Sequence, residues 1–169
     1  MLKINYMSTL FVGIDVSSKS NAVYAMDFDE NKYIDAFFGN NQPGADELAG
    51  KIAGCMQKHP HLNTIIVALE STSVYSIHIA NFLASCELLM PYKPYVYCLN
   101  PKMTANYRKS YVGMDKTDHL DAFLISDFAR VGRTKKCEPW RGSQYLALKR
   151  LTRHRLHLVE CITREKTYM

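Results

Sequence analysis

Over its first hundred residues the chain alternates short apolar runs with polar breaks. "TLFVGIDV" from Thr9, "NAVYAMDF" from Asn21 and "YIDAFF" from Tyr33 are rich in branched and aromatic residues. Parted by "SSKS" and a second polar break, they predict three consecutive strands joined by short turns. "NQPGADELAGKIAGCMQKH" then changes period, with Pro43 near its start and Leu48, Ile52 and Met56 four residues apart, which predicts a helix. "NTIIVALE" reads as a strand buried on both faces, "SVYSIHIANFLASCE" as an amphipathic helix and "KPYVYCLN" as a further strand. Strand, helix, strand, helix, strand implies an α/β chain with parallel pairing in the second half of its sheet.

After Asn100 the texture changes. Pro101 to Tyr107 predicts a short helix, and "YRKSYVGMDK" a basic, glycine-containing loop. The helix that follows Lys116 has Leu120, Phe123, Leu124, Phe128 and Val131 on one side and Ala122, Ile125 and Ala129 on a second. "GRTKKCEPWRG" breaks the pattern, and Pro139 with Gly142 marks a boundary, giving a first unit over 1–135 and a linker with a final helix over 136–169. In that helix Leu148, Leu151, Leu158 and Ile162 are spaced like a coiled-coil seam interrupted by Arg155, a stripe that calls for a partner. The helix stops without a cap signal, so the expectation is a longer protein cut within it.

The 169 residues suffice for one compact domain with a sizeable core. The balance of 21 basic to 16 acidic residues is only mildly positive, but it is polarised. Through Asn100 there are 6 basic and 9 acidic residues, and beyond it 15 and 7. A basic second part suits a polyanionic partner. The five cysteines are widely spaced with no C-x-x-C pair, which argues against a zinc cage or a disulfide framework and fits a reducing cytosol. No apolar run approaches the roughly 20 residues that span a bilayer, and no signal-peptide pattern opens the chain. The expectation is a cytoplasmic protein with no membrane partner.

Two aspartates, Asp118 and Asp121, stand at the start of the helix after Lys116, beside its second apolar side. One reading makes Asp118 an N-cap with Asp121 at the third helical position; the other makes both part of a chemical site. Asp15 and Glu70 bear on the choice, because each ends an apolar strand that belongs in the sheet interior. A carboxylate is disfavoured there unless a cation or donor compensates it, and the carboxyl ends of parallel strands are where functional groups collect. Four carboxylates without histidine or cysteine form an all-oxygen ligand set suited to Mg²⁺ or Mn²⁺, and such ions serve phosphodiester cleavage. Ser17 and Ser18 read as turn residues and His119 as an exposed helix residue.

A polyanionic substrate also accounts for the clustering of cations. Lys102, Arg108, Lys109 and Lys116 precede the aspartate pair and are interleaved with Tyr107 and Tyr111, and Lys149, Arg150, Arg153 and Arg155 crowd the last helix. Lysine and arginine neutralising phosphates supply most non-specific nucleic-acid affinity, whereas the bland alternative for both clusters is a solvated face.

"FVGIDVSSKS", "VALESTSVY", "LNPKMTANYRKS" and "MDKTDHLDAFLISDFARVGR" resemble, in this order and at similar separations, the N-terminal domain of the DEDD transposases of insertion sequences, relatives of Piv-type DNA invertases. The resemblance covers about residues 9 to 133. It implies a fold like the RuvC resolvase and ribonuclease H over 1–135, with a central mixed sheet flanked by helices, followed by the start of a coiled-coil helix. It also implies that Asp15, Glu70, Asp118 and Asp121 are the metal-binding tetrad. Members are similar to recombinases that excise and insert a mobile element, some guided by a structured RNA that bridges donor and target DNA. The resemblance further implies DNA as partner, assembly into dimers or tetramers through the coiled coil, and a C-terminal serine domain that this chain lacks. It departs from many relatives at Ser73, where they have glycine.

Three other readings remain in play. A self-sufficient RuvC-like nuclease such as a Holliday junction resolvase would share the tetrad and cut DNA alone. A non-catalytic RNA-binding and assembly module would use the acids for a structural ion. An actin-like ATPase or sugar kinase would need further glycine-rich phosphate loops, which the scattered glycines do not supply.

Overall fold

A computed structural model of the chain describes residues 4–71, 75–111 and 117–168. The three runs at the start form β1 (Thr9–Val16), β2 (Ser20–Met26) and β3 (Lys32–Gly39), followed by α1 (Gln42–Lys58), β4 (Thr64–Glu70), α2 (Tyr75–Ser85) and β5 (Pro94–Leu99). The chain closes with α3 (Pro101–Arg108), α4 (Asp118–Arg130) and α5 (Gly142–Tyr168). The strand order is β3-β2-β1-β4-β5. β1 and β3 flank β2 in antiparallel pairing, whereas β4 runs parallel to β1 and β5 parallel to β4. This is a mixed sheet flanked by helices, as the resemblance implies, with the strands that lack short turns between them paired in parallel as their crossover helices require.

The local signals act where the sequence puts them. The Asn41 side chain caps α1 by accepting from the Gly44 amide at 2.9 Å, with proline in the first turn. Asn100 caps α3 in the same way through the Lys102 amide. Ser17 Oγ donates to the Ser20 carbonyl at 2.6 Å, which fixes the β1–β2 turn and bears out the reading of that serine as a turn residue.

Strand alternation divides the core in two. Leu10, Val12, Ile14 and Val16 of β1, with Ile65, Val67 and Leu69 of β4, pack under α1 and α2. Phe11 of β1, with Ile66 and Ala68 of β4 and Leu99 of β5, packs under Ile125, Phe128 and Ala129 of α4. α4 therefore belongs to the face opposite α1 and α2. Among the described residues no helix is long and apolar enough to cross a membrane.

Candidate active site

The row Phe11–Gly13 on β1 faces α4, so the same alternation carries Asp15 to that face, and the row Ile66–Ala68 carries Glu70 there on β4. Ile14 pairs with Leu69 in the parallel ladder, which makes Asp15 and Glu70 the next residues on neighbouring strands at one end of the sheet. Both are partly buried.

α4 lies directly on this row. Ser126 Oγ donates to the Phe11 carbonyl at 3.0 Å, and a Cβ at Gly13 would stand 2.1 Å from the Ala122 carbonyl oxygen. Moving from Ser126 to Ala122 along the helix matches moving from Phe11 to Gly13 along the strand. One further four-residue step reaches Asp118, as a further two-residue step reaches Asp15. The two aspartates of α4 thus belong to the same end of the molecule as the two strand-end acids.

The capping reading of that pair is corrected by the structure. Thr117 is the N-cap of α4, its Oγ1 accepting from the Leu120 amide at 3.2 Å. Asp118 and Asp121 follow in the first turn, where negative charge is favoured by the helix dipole, but they do not close the helix end. The side chains differ: Asp118 is exposed, while Asp121 is partly enclosed and its Oδ1 is buried without a hydrogen bond, its charge met by the Arg108 guanidinium.

α3 reaches both inner acids. Thr104 Oγ1 donates to Glu70 Oε2 at 2.7 Å, and one turn later Arg108 pairs with Asp121. Arg108 is thus engaged within the chain. Thr104 was not singled out from the sequence; its signal was the four-residue spacing to Arg108 in "TANYR", right after the strand that neighbours Glu70.

His119 is half exposed and also held. Its Nδ1 lies 2.6 Å from Asp35 Oδ1 of β3, and its ring meets Phe37 edge to face at 4.5 Å. Burial pushes the Asp35 carboxyl up, but the bonds from Lys32 and His119 outweigh it and leave it below the ordinary value.

Asp127 is a buried acid that sequence reasoning missed. The Tyr107 and Tyr111 hydroxyls both donate to its Oδ2, and Arg130 Nε donates to Oδ1 at 2.8 Å. Arg130 also reaches Glu30 at 2.6 Å and the Phe28 carbonyl at 3.1 Å, which ties α4 to the β2–β3 turn. Burial raises the Asp127 carboxyl, yet these donors prevail and its pKa is lowered. Tyr107 moves up, through burial and then its bond to Asp127.

Of the remaining expected nucleic-acid residues, Lys102 and Lys109 are exposed at the two ends of α3, and Lys149, Arg150, Arg153 and Arg155 are exposed on α5. Lys116 lies outside the described residues, as does Ser73. Among the described residues no three acidic, histidine or cysteine side chains are grouped closely enough to hold a metal ion. The donor chemistry nevertheless fits a hard divalent cation, since the acids at this rim offer only oxygen and Asp121 keeps a buried oxygen that accepts no hydrogen bond.

Comparison with known proteins gives three findings. A family model for DEDD transposases of the IS110 type, described as transposase, matches residues 12–169. No curated protein matches. Among solved structures, the chain is similar to T. thermophilus RuvC in complex with Holliday junction substrate, at 9% identity over 78% of this chain and 99% of that chain, with a TM-score of 0.48. It is also similar to the yeast mitochondrial Holliday junction resolvase Ydc2, at 13% identity over 76% of this chain and 83% of that one, with a TM-score of 0.38.

Proposed function

Since the chain belongs to the IS110-type DEDD transposase family, we propose that its acid rim carries out metal-dependent cleavage and exchange of DNA strands. The observation that carries the reading is the shared face: Asp15 and Glu70 end neighbouring strands on the side that α4 covers, and α4 begins with Asp118 and Asp121. These four residues would hold Mg²⁺ or Mn²⁺. When bound, such an ion supplies a Lewis acid that activates an attacking oxygen and stabilises a leaving one.

The chain's own residues prepare for this. The sheet fixes Asp15 and Glu70, Thr104 orients the Glu70 carboxylate, and Arg108 holds the charge of Asp121. Were Asp121 to hold a cation, the Arg108 guanidinium would be free to meet a substrate phosphate, consistent with the place of Lys102 and Lys109 on the same helix. The basic face of α5, with Lys149, Arg150, Arg153 and Arg155, adds phosphate contacts. Leu148, Leu151, Leu158 and Ile162 are exposed along α5, and this stripe supports assembly into a homodimer or tetramer. Guidance by a structured RNA that bridges donor and target DNA is part of the same proposal and is carried over from the sequence resemblance alone.

Calorimetric titration with Mn²⁺ tests the site. Asp118→Asn keeps the circular dichroism spectrum of the wild type and loses at least about tenfold in Mn²⁺ affinity, in line with loss of one charged ligand. Equal affinity in the two proteins would remove Asp118 from the site.

A further inference from the structure

A groove of about 620 Å³ opens between the β5 edge of the sheet and α5. One wall is made by Ser71, which follows Glu70, with Ser76 and Ile77 of α2, Cys98 of β5 and Met103 of α3, and the other is the segment from Lys136 to Arg153. The far wall is anchored: the Trp140 amide donates to the Val96 carbonyl at 2.7 Å, extending the β5 edge, and Trp140 Nε1 donates to Asn81 Oδ1 of α2 at 2.8 Å. The segment that leads into α5 is therefore anchored to the core by hydrogen bonds.

Its chemistry is one-sided. Lys149, Arg150 and Arg153 line it, and none of them is ion-paired with a carboxylate among the described residues. The only acid among its lining residues, Glu138, is held by Arg141 at 3.0 Å. Lys149 stands close enough to Cys98 to oppose the burial that pushes that thiol up to about 12, so its charge reaches the β5 strand. Tyr145 presents a half-exposed ring in the same wall. A volume of this size takes a body of a nucleotide or two. An unpaired base, unlike one stacked in a duplex, has a free face to lay on the ring.

We propose that this groove binds single-stranded nucleic acid, with phosphates along Lys149, Arg150 and Arg153 and a base stacked on Tyr145, and that it leads the strand to the acid rim at Glu70. The proposal deepens the transposase reading and rests on it.

The test uses the whole chain and fluorescein-labelled oligonucleotides of one mixed sequence as single-stranded DNA, single-stranded RNA and duplex DNA, read by anisotropy across a KCl series. Trp140, the chain's single tryptophan, reports from inside the groove. Single strands bind more tightly than duplex and quench Trp140 emission, and the tighter of the DNA and RNA arms names the source of the strand. Tyr145→Ala weakens binding about tenfold while Tyr145→Phe retains it, as stacking requires. The double variant Lys149→Ala with Arg153→Ala lowers the log–log salt slope by about 1.4, or about 0.7 for each phosphate contact. Removing two exposed cations of α1 instead, Lys51→Ala with Lys58→Ala, leaves that slope unchanged and so excludes an effect of net charge. If oligonucleotides bind but Trp140 emission and all groove variants behave as wild type, the groove assignment falls and the transposase reading stands. Duplex binding as tight as that of single strands, with the same quenching, overturns the single-strand assignment. Absence of binding to any of the three overturns both.

Discussion

A methyl group at residue 13 has nowhere to go. Added to Gly13, it would meet the Ala122 carbonyl oxygen at 2.1 Å and the Ser126 amide nitrogen at 2.3 Å, both backbone atoms of α4. Gly13→Ala therefore lifts α4 off the sheet, and urea denaturation should show a loss of about 3 kcal/mol or more; a loss below about 1 kcal/mol would mean that α4 does not rest there. Asp127 is the second residue on which the fold leans. Its carboxylate is buried with three donors, so Asp127→Asn, which keeps the shape and removes the charge opposite Arg130, should cost about 3 kcal/mol at neutral pH. The pH dependence has a definite sign. The folded pKa is lowered, so the contribution is present above the unfolded carboxylate value near about 4 and is lost as pH falls through the folded one. Wild type should lose more stability than the Asn variant on acidification below about pH 4; equal losses would show that Asp127 is protonated already. The strand-end acids Asp15 and Glu70 were legible in the sequence because an acid that closes an apolar run is locally anomalous. Asp127 was not, because an aspartate inside an amphipathic helix looks solvent-facing until the tyrosines twenty and sixteen residues earlier fold onto it.

α4 is the element that carries the account. Its ridge of Ala122 and Ser126 is small enough to sit on β1, its first turn brings two aspartates to the rim, and its other side reaches β3 through His119. The His119–Asp35 contact is half exposed and contributes little to global stability, below about 1 kcal/mol. Its effect is local. Asp35→Ala should quicken amide exchange at Leu120 and Asp121, whose protection comes from Thr117, with the urea midpoint nearly unchanged. Unaltered exchange there would show that the helix start is fixed by its cap alone. Strand and helix positions were legible element by element, since the hydrophobic period, the polar breaks and Pro43 all agree. At the start of α4 the sequence left Asp118 open between a cap and a chemical site, and the structure gives the cap to Thr117. Thr117 and Asp118 both qualify as caps in sequence, and the choice between them depends on backbone angles that the residue types leave open.

At the scale of the whole molecule, the acidic strands and the basic later segments meet at one rim. The sheet supplies two carboxylates, α4 supplies two more, α3 lays Thr104 and Arg108 over them, and the basic groove approaches from the β5 edge. Sequence alternation was enough to foresee parallel pairing in the second half of the sheet and an acid at the end of β1 and of β4; that the two ends adjoin comes from the register of β1 on β4. Alternation could not show that Arg108 would face Asp121, because that pairing is made by α3 folding over the rim and has no local signature. The central claim is that these four carboxylates form a metal site for phosphodiester chemistry, and crystals soaked in Mn²⁺ test it most directly. The expected result is anomalous density contacted by Asp15, Glu70, Asp118 and Asp121, with the Arg108 guanidinium displaced from Asp121. Soaked crystals with no density at the rim, and Arg108 still paired with Asp121, would contradict it.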